Sequence, residues 1–221
     1  MSALARIAAR VRETFAPDRM SAADRATWSN TRTLDDVGER TAQWLEGEVA
    51  SQPGYLGPVD TDEDLAPGMT ATLAALNRSG MVTDSSQAGF DGPGFDGARW
   101  QQRAAVSGFA TTEAVERIDN AIAPVDGLHL SHRRGSTWSL RSQLPVTWRD
   151  GRTYTDFGGR LSNTAIADQY DECGPDAVRE LQAAEQVVVW DEEPGRNDRL
   201  WPALQRAADR HIRTDEEVDE L

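Results

Sequence analysis

Short polar side chains are concentrated in one stretch of the chain, directly after a run of apolar residues. Thr83, Ser85, Ser86 and Gln87 follow a short apolar run, and the glycine-rich segment 88–97 comes next. Hydroxyl and amide groups at the end of a buried strand, beside glycines that let a backbone approach closely, suit the recognition of a polar organic ligand. On this chemistry alone, an ordinary serine-rich turn is the simpler interpretation.

The common catalytic and cofactor signatures are absent from the sequence. It contains no G-x-x-x-x-G-K-[ST], no G-x-G-x-x-G between a strand and a helix, no H-E-x-x-H and no G-x-S-x-G. The 37 acidic residues supply carboxylate pairs by chance, so a glycosidase-like pair is neither indicated nor excluded. We therefore predict no catalytic residue and no required cofactor.

The histidines and the cysteine do not indicate a metal site. His129 and His132 fall on a predicted strand, where a spacing of three places their side chains on opposite faces. His211 is the third histidine and lies far along the chain. Cys173 is the only cysteine, so an intrachain disulfide is impossible and a structural thiol is the default interpretation.

Composition indicates a globular acidic protein. The 221 residues carry 23 basic and 37 acidic side chains, a net charge of −14, and every basic residue other than histidine is arginine. This charge argues against non-specific binding to nucleic acid or to an anionic membrane. No stretch reaches the ~18 apolar residues of a membrane span, and the first residues lack the apolar core of a secretory signal. We expect a cytoplasmic protein that binds neither nucleic acid nor membrane.

Periodicity predicts a mixed α/β (α+β) protein, with helices flanking mixed sheets, because the elements alternate without a regular βαβ rhythm. Predicted helices run from Leu4 to Phe15, from Ser21 to Trp28, from Thr33 to Gly47, and over 69–78, 111–122, 174–181 and 198–211. Predicted strands cover 81–83, 100–109, 125–131, 136–142, 145–149, 153–157 and 187–190, and 88–97 is a predicted loop. We expect a helical N-terminal extension at 1–32, a ligand-binding domain at 33–212 and an acidic tail at 213–221.

The polar stretch is also the part of the chain that resembles a known family. Residues 77–87, NRSGMVTDSSQ, resemble the segment N-R-x-G-[IFL]-L-T-I-N-S-Q-P of the C-terminal regulatory domain of eukaryotic methylenetetrahydrofolate reductase. Further blocks occur in the same order: WLEG at 44–47, ED at 63–64, RWQQRAAVSGF at 99–109, VTW at 146–148, VVWD at 188–191 and NDRLW at 197–201. The resemblance spans roughly residues 35–210.

The resemblance implies a binding function. In that family the domain binds S-adenosylmethionine or S-adenosylhomocysteine and signals to a separate catalytic barrel, for which a chain of this length has no room. The ligand-binding residues that it implies are Glu63, Thr83, Ser86, Gln87, Thr147 and Thr155. The sequence departs from the family pattern at Asp64, at 84–85, at Ala88 and at Arg103, so the ligand itself is open. Trp100 or Trp148 facing a sulfonium is a further idea, for which burial in the core is the competing interpretation.

Three functions follow as hypotheses. The first is a stand-alone module that binds S-adenosylmethionine, S-adenosylhomocysteine or a related adenine nucleotide, either as a sensor or to sequester it. The second is an acidic protein-interaction module with a decayed pocket, and the third is a small enzyme acting on an adenosyl compound. A homodimer and a separately encoded protein partner are the associations that the resemblance suggests.

Overall fold

The computed structural model describes residues 20–55, 59, 61–94, 96–134 and 143–219. Within these residues the chain forms seven helices and eight strands, which confirms the predicted α+β class. The helices are α1 (Ala22–Ser29), α2 (Leu34–Leu45), α3 (Met69–Asn77), α4 (Thr112–Ile122), α5 (Asn163–Gln169), α6 (Pro175–Ala183) and α7 (Leu200–Asp219). The strands are β1 (Met81–Gln87), β2 (Phe90–Pro93), β3 (Arg99–Gln102), β4 (Ala105–Ala110), β5 (Leu128–Arg134), β6 (Leu144–Arg149), β7 (Arg152–Phe157) and β8 (Glu185–Asp191).

The strands form two four-stranded sheets. The first sheet has the order β1-β4-β8-β5 and the second has the order β2-β3-β6-β7. The pairs among the described strands are all antiparallel, whereas mixed sheets were expected. In the first sheet β1 and β5 are the edge strands, and the polar residues singled out in the sequence therefore lie on an edge.

The chain passes from the second sheet to the first between β3 and β4. The prediction of one strand over 100–109 was wrong, because its two halves pair with different partners. The Arg103 amide still donates to Val146 of β6, whereas the Ala104 carbonyl one residue later accepts from Asp191 at the end of β8. The change of partner takes place within two residues.

The core lies on both faces of the first sheet. On one face the even-numbered residues of β4, such as Val106, pack with α3, α4 and α7. On the other face Val82 and Phe109 pack with α1, α2, α5 and α6, and Trp28 is fully buried there. Because side chains alternate between the two faces of the sheet, they form two separate apolar clusters. The cluster that contains Trp28 covers only part of its face of the first sheet.

Several helix starts follow from local chemistry. The Ser21 hydroxyl accepts from the Asp24 amide and caps α1. Thr33 and Asp36 form a complete capping box at α2, and the Thr111 hydroxyl caps α4. These caps explain why the predicted helices begin where they do.

Other predictions fall outside the described residues or differ from the structure. The predicted helix through Leu4 and the predicted strand at 136–142 lie outside the described residues. The loop predicted at 88–97 contains β2, β1 extends to Gln87, and α5 was not predicted. Trp28, within the predicted extension at 1–32, packs in the same cluster as Val82, and α7 continues past 212 to Asp219.

Candidate functional site

A bulge in β1 determines where its polar side chains point. Thr83 and Ser85 pair with consecutive residues of β4, so Asp84 is the extra residue. Thr83 lies on the side of α3, whereas Asp84 receives a hydrogen bond of 2.6 Å from Gln169 of α5. The bulge therefore directs two neighbouring polar side chains towards different parts of the molecule.

Thr83 is held by a buried amide. Asn77, the last residue of α3, is fully buried, and its Nδ2 donates to the Thr83 hydroxyl over 2.8 Å. Its Oδ1 accepts from the Thr83 amide over 3.0 Å, and Nδ2 also donates to the Leu73 carbonyl over 2.8 Å. Because the Thr83 oxygen already accepts a bond, its hydrogen is directed away from Asn77.

A cavity of about 230 Å³ lies beside the edge of β1, and we call it the β1-edge cavity. Its wall includes the β1 residues Thr83, Asp84, Ser85 and Ser86, together with Trp44 and Tyr55. The two aromatic rings meet edge to face, with their centroids 5.6 Å apart. The cavity therefore joins a row of hydroxyls and a carboxylate to an aromatic wall.

Two of the predicted ligand-binding residues meet at this cavity, and two others do not line it. Thr83 and Ser86 both line the β1-edge cavity. Gln87 and Thr147 are buried and bond to each other, with the Thr147 hydroxyl donating to Gln87 Oε1 over 3.1 Å. The Gln87 amide also donates to the carbonyls of Arg103 and Val146, at 2.9 and 3.1 Å. In this structure Gln87 and Thr147 connect the two sheets.

The remaining two predicted residues also lie elsewhere. Glu63 accepts from the amides of Gly68 and Thr70, at 2.6 and 2.9 Å, and from the Thr70 hydroxyl at 2.8 Å. Burial raises the pKa of this carboxyl, but these hydrogen bonds outweigh it and hold the pKa below its ordinary value. Glu63 therefore caps the start of α3, while Thr155 is exposed on β7 beside Thr147.

Asp84 was not among the predicted ligand-binding residues. Asp84 lines the β1-edge cavity and also a second cavity on the opposite side of β1. Burial raises the pKa of its carboxyl, and the hydrogen bond from Gln169 only partly opposes this. An acidic residue in the middle of a half-buried strand is the signal that points to it, since such a position rarely tolerates an unpaired charge.

The second cavity, about 290 Å³, lies on the face of the first sheet opposite α4 and α7, and we call it the inter-sheet cavity. Its floor consists of residues of β4, β8 and β5, including Ser107, Trp190 and Arg133. Its other side consists of Gln143, just before β6, Leu144, the first residue of β6, and residues 158–161, after β7. The sequence-based reasoning did not find it, because the strand predicted at 125–131 ended before Arg133.

The tryptophans considered for a sulfonium do not line either cavity. Trp100 is buried, and its ring nitrogen donates to Asp96 over 3.1 Å. Trp100 is therefore a core residue. The Trp148 ring is covered by the Arg103 guanidinium, 4.9 Å from the ring centroid. The aromatic residues available to a ligand are therefore others, such as Trp44 and Tyr55.

The histidines lie on opposite faces of β5, as predicted. His129 stacks on Trp190 and its Nε2 lies 3.1 Å from Glu192, whereas the Nδ1 of His132 lies 2.5 Å from Glu185. In the part of the chain that the structure describes, no three His, Cys, Asp or Glu side chains are grouped as metal ligands.

The fold and the cavities define an α+β domain with two antiparallel sheets and a polar bulge between two cavities. The model of the family described as a domain of unknown function, DUF6919, matches residues 23–210, and the chain belongs to that family. A search of curated proteins finds no match. Among the described helices, none combines the length and the apolar character needed to cross a membrane.

Proposed function

We propose that the protein is a small-molecule-binding module whose ligand occupies the β1-edge cavity, with S-adenosylmethionine or S-adenosylhomocysteine as the first candidates. One observation carries the proposal. Thr83 and Ser86, which the resemblance to the reductase regulatory domain assigns to the ligand, line one cavity. Two separate residues of the implied set therefore meet where a ligand has room.

The chemistry of the wall suits an adenosyl group. The Thr83 hydroxyl, oriented by Asn77, donates to an acceptor such as an adenine nitrogen. Asp84 accepts from ribose hydroxyls, and its burial strengthens such bonds. Trp44 and Tyr55 face a sulfonium or an adenine ring, a contact worth ~0.5–2 kcal/mol for a cation.

The size of the cavity limits what it holds. At about 230 Å³ it is smaller than the ~300–1,000 Å³ typical of sites for drug-sized ligands. We therefore propose that it takes the nucleoside end of the ligand, and that the amino-acid end extends outward past Tyr55, whose side chain is 41% exposed.

The proposed role is binding without chemical conversion, in the cytoplasm. The protein would either sense its ligand or sequester it. A sensor would pass on ligand binding through contacts in a homodimer or with a separately encoded partner. The cavity beside Thr83 weighs against the alternative of an interaction module with a decayed pocket, which would leave that space filled. One observation favours a second candidate, an enzyme acting on an adenosyl compound. Asp84 has a raised pKa and borders the cavity, as a general acid or base would.

Calorimetric titration tests the proposal, using S-adenosylmethionine, S-adenosylhomocysteine, adenosine and methionine as the panel. Mass spectrometry of the denatured protein first identifies any compound that survives purification. We expect Thr83→Ala and Ser86→Ala each to weaken binding by about 2- to 13-fold, the loss of one hydrogen bond of ~0.5–1.5 kcal/mol. Thr155→Ala is the matched control, because Thr155 lies outside the cavity, and it keeps the wild-type affinity.

Two outcomes would contradict the proposal. The absence of any heat or thermal shift with every adenosyl compound removes the ligand class. Wild-type affinity in both Thr83→Ala and Ser86→Ala removes the cavity from the binding site. Incubation with each compound followed by mass spectrometry separates binding from conversion, and a product lost in Asp84→Asn would establish the enzymatic alternative.

A further inference from the structure

One nitrogen of a guanidinium in the wall of the inter-sheet cavity has no hydrogen-bond partner among the described residues. The Arg133 Nη1 is buried and makes no hydrogen bond to any of the described residues. A buried guanidinium donor without an acceptor costs free energy, and native structures rarely keep one without a reason. The chain carries 37 acidic residues, yet none of the described ones accepts a hydrogen bond from this nitrogen.

Strand alternation explains why Arg133 faces this cavity. Leu128 and Leu130 of β5 pack into the core on the side of α4, so Ser131 and Arg133 lie on the opposite face. The residue beside Arg133 in the sheet is Gln186, which is already occupied. Its side chain accepts from the Leu161 amide and donates to the Leu161 carbonyl, at 2.9 and 2.8 Å.

The rest of the cavity is suited to an organic molecule and not to a bare ion. Ser107 and Ser131 lie on either side of Val188 across the sheet, about 10 Å apart for two strand spacings. Phe109 and Trp190 line the same space and give it an apolar wall. A cavity of about 290 Å³ has room for about ten groups the size of a water molecule.

The end of the cavity at Asp84 disfavours a second negative charge, although a second arginine, Arg160, also lines the cavity. Asp84 lines the cavity from β1, three strands away from Arg133 of β5, or about 14 Å across the sheet. A ligand that carries one anionic group and a neutral or cationic far end matches both rims. A dicarboxylate of the same length places one charge near Asp84.

We propose that the inter-sheet cavity is a binding site for an organic monocarboxylate with an apolar body, held by Arg133. The Arg133 guanidinium binds the carboxylate as a two-pronged donor, the geometry for which arginine is specifically suited. The Ser131 hydroxyl, on the same face two residues earlier, adds a hydrogen bond. This site is separate from the β1-edge cavity, and it does not depend on the identity of the ligand there.

The test uses 3-phenylpropanoate as the probe and its neutral amide, 3-phenylpropanamide, as the matched control. Titration of the full chain, followed by calorimetry or by ligand-observed NMR, compares the two. We expect the acid to bind at least tenfold more tightly than the amide, since the two differ only in the group that Arg133 contacts. 3-(4-Carboxyphenyl)propanoate, which carries a second carboxylate at the far end of the ring and so nearer Asp84, is expected to bind more weakly than the monocarboxylate.

Variants locate the site. Arg133→Gln is expected to weaken binding of 3-phenylpropanoate by at least tenfold, while Arg179→Gln, which removes an exposed surface charge, leaves it unchanged. Thr83→Ala, on the β1-edge cavity, also leaves it unchanged, which distinguishes this site from the one proposed for the adenosyl ligand. If Arg133→Gln does not fold, the comparison of the acid with the amide on the wild-type chain still tests whether the ligand's carboxylate is recognised.

Four results would overturn the proposal. They are equal affinity for the acid and the amide, wild-type affinity in a folded Arg133→Gln variant, no binding of the acid at millimolar concentration, and displacement of the acid by an equal concentration of inorganic phosphate. The last result would assign the cavity to phosphate instead of a carboxylate.

Discussion

Replacing Asn77 by alanine should destabilise the protein more than any surface change. The fully buried Asn77 side chain makes three hydrogen bonds, two of them to Thr83 and one to the Leu73 carbonyl. Their loss at ~0.5–1.5 kcal/mol each, with the Thr83 amide left without an acceptor, predicts a decrease of about 2–4 kcal/mol in the free energy of unfolding. At ~2–4 °C per kcal/mol for a chain of this size, the melting temperature falls by roughly 4–16 °C.

Urea unfolding followed by tryptophan fluorescence measures this change. The matched control is Asn163→Ala, at the exposed first residue of α5, where a change within ~0.5 kcal/mol is expected. A double-mutant cycle with Thr83→Val isolates the pair, and a coupling energy of ~0.5–3 kcal/mol is expected for residues in one network. A loss below about 1 kcal/mol in Asn77→Ala, or a coupling near zero, would show that these hydrogen bonds are not what holds Thr83 in place.

Three further outcomes are expected from other parts of the structure. A methyl group added at Gly108 lies 2.1 Å from the Val82 carbonyl oxygen, so Gly108→Ala should lower the yield of folded protein or its melting temperature, and an unchanged melting curve would contradict the packing of β1 on β4. Hydrogen bonds from Trp100 and then from Arg149 lower the pKa of Asp96 to about 2 from 3.8, so its contribution to stability is complete above pH 3.8 and lost as pH falls towards 2. The free energy of unfolding of wild type should therefore exceed that of Asp96→Asn above pH 3.8, and denaturant unfolding should show this difference shrinking as the pH falls towards 2. Burial raises the pKa of the Cys173 thiol to about 12, so a thiol reagent at pH 8 should modify it only after denaturation, and rapid labelling of the folded protein would contradict this.

The sequence predicted elements well where local chemistry decides them. The Ser21 and Thr111 caps and the apolar spacing of α2 and α4 place helices through contacts within a few residues, which the sequence displays. The run over 100–109 contains no proline and its only glycine is buried in β4, so nothing local marks its division. The two strands separate because they have different distant partners, β6 and β8, and such pairing is not visible in a single sequence.

At the candidate site, too, the sequence indicated local features but not contacts between distant parts of the chain. Thr83 and Ser86 were predicted as ligand-binding residues because they belong to one contiguous stretch with a recognisable pattern, and both line the β1-edge cavity. The resemblance assigns Glu63 to the ligand, and in the structure its carboxylate accepts from amides at the start of α3, a helix that begins at a glycine with no side chain to cap it. The sequence did not show this contact. Arg133 became visible only through the face of β5 on which it lies, which depends on where that strand ends.

The passage of the chain from β3 to β4 has a mechanical consequence. Gln87 donates to a carbonyl at that junction, on Arg103, and to a carbonyl of β6, on Val146, while it accepts from Thr147. Sliding one sheet past the other by about 2 Å or more would lengthen these contacts to roughly 3.6 Å, beyond hydrogen-bonding range. The two sheets are therefore expected to move as one rigid unit.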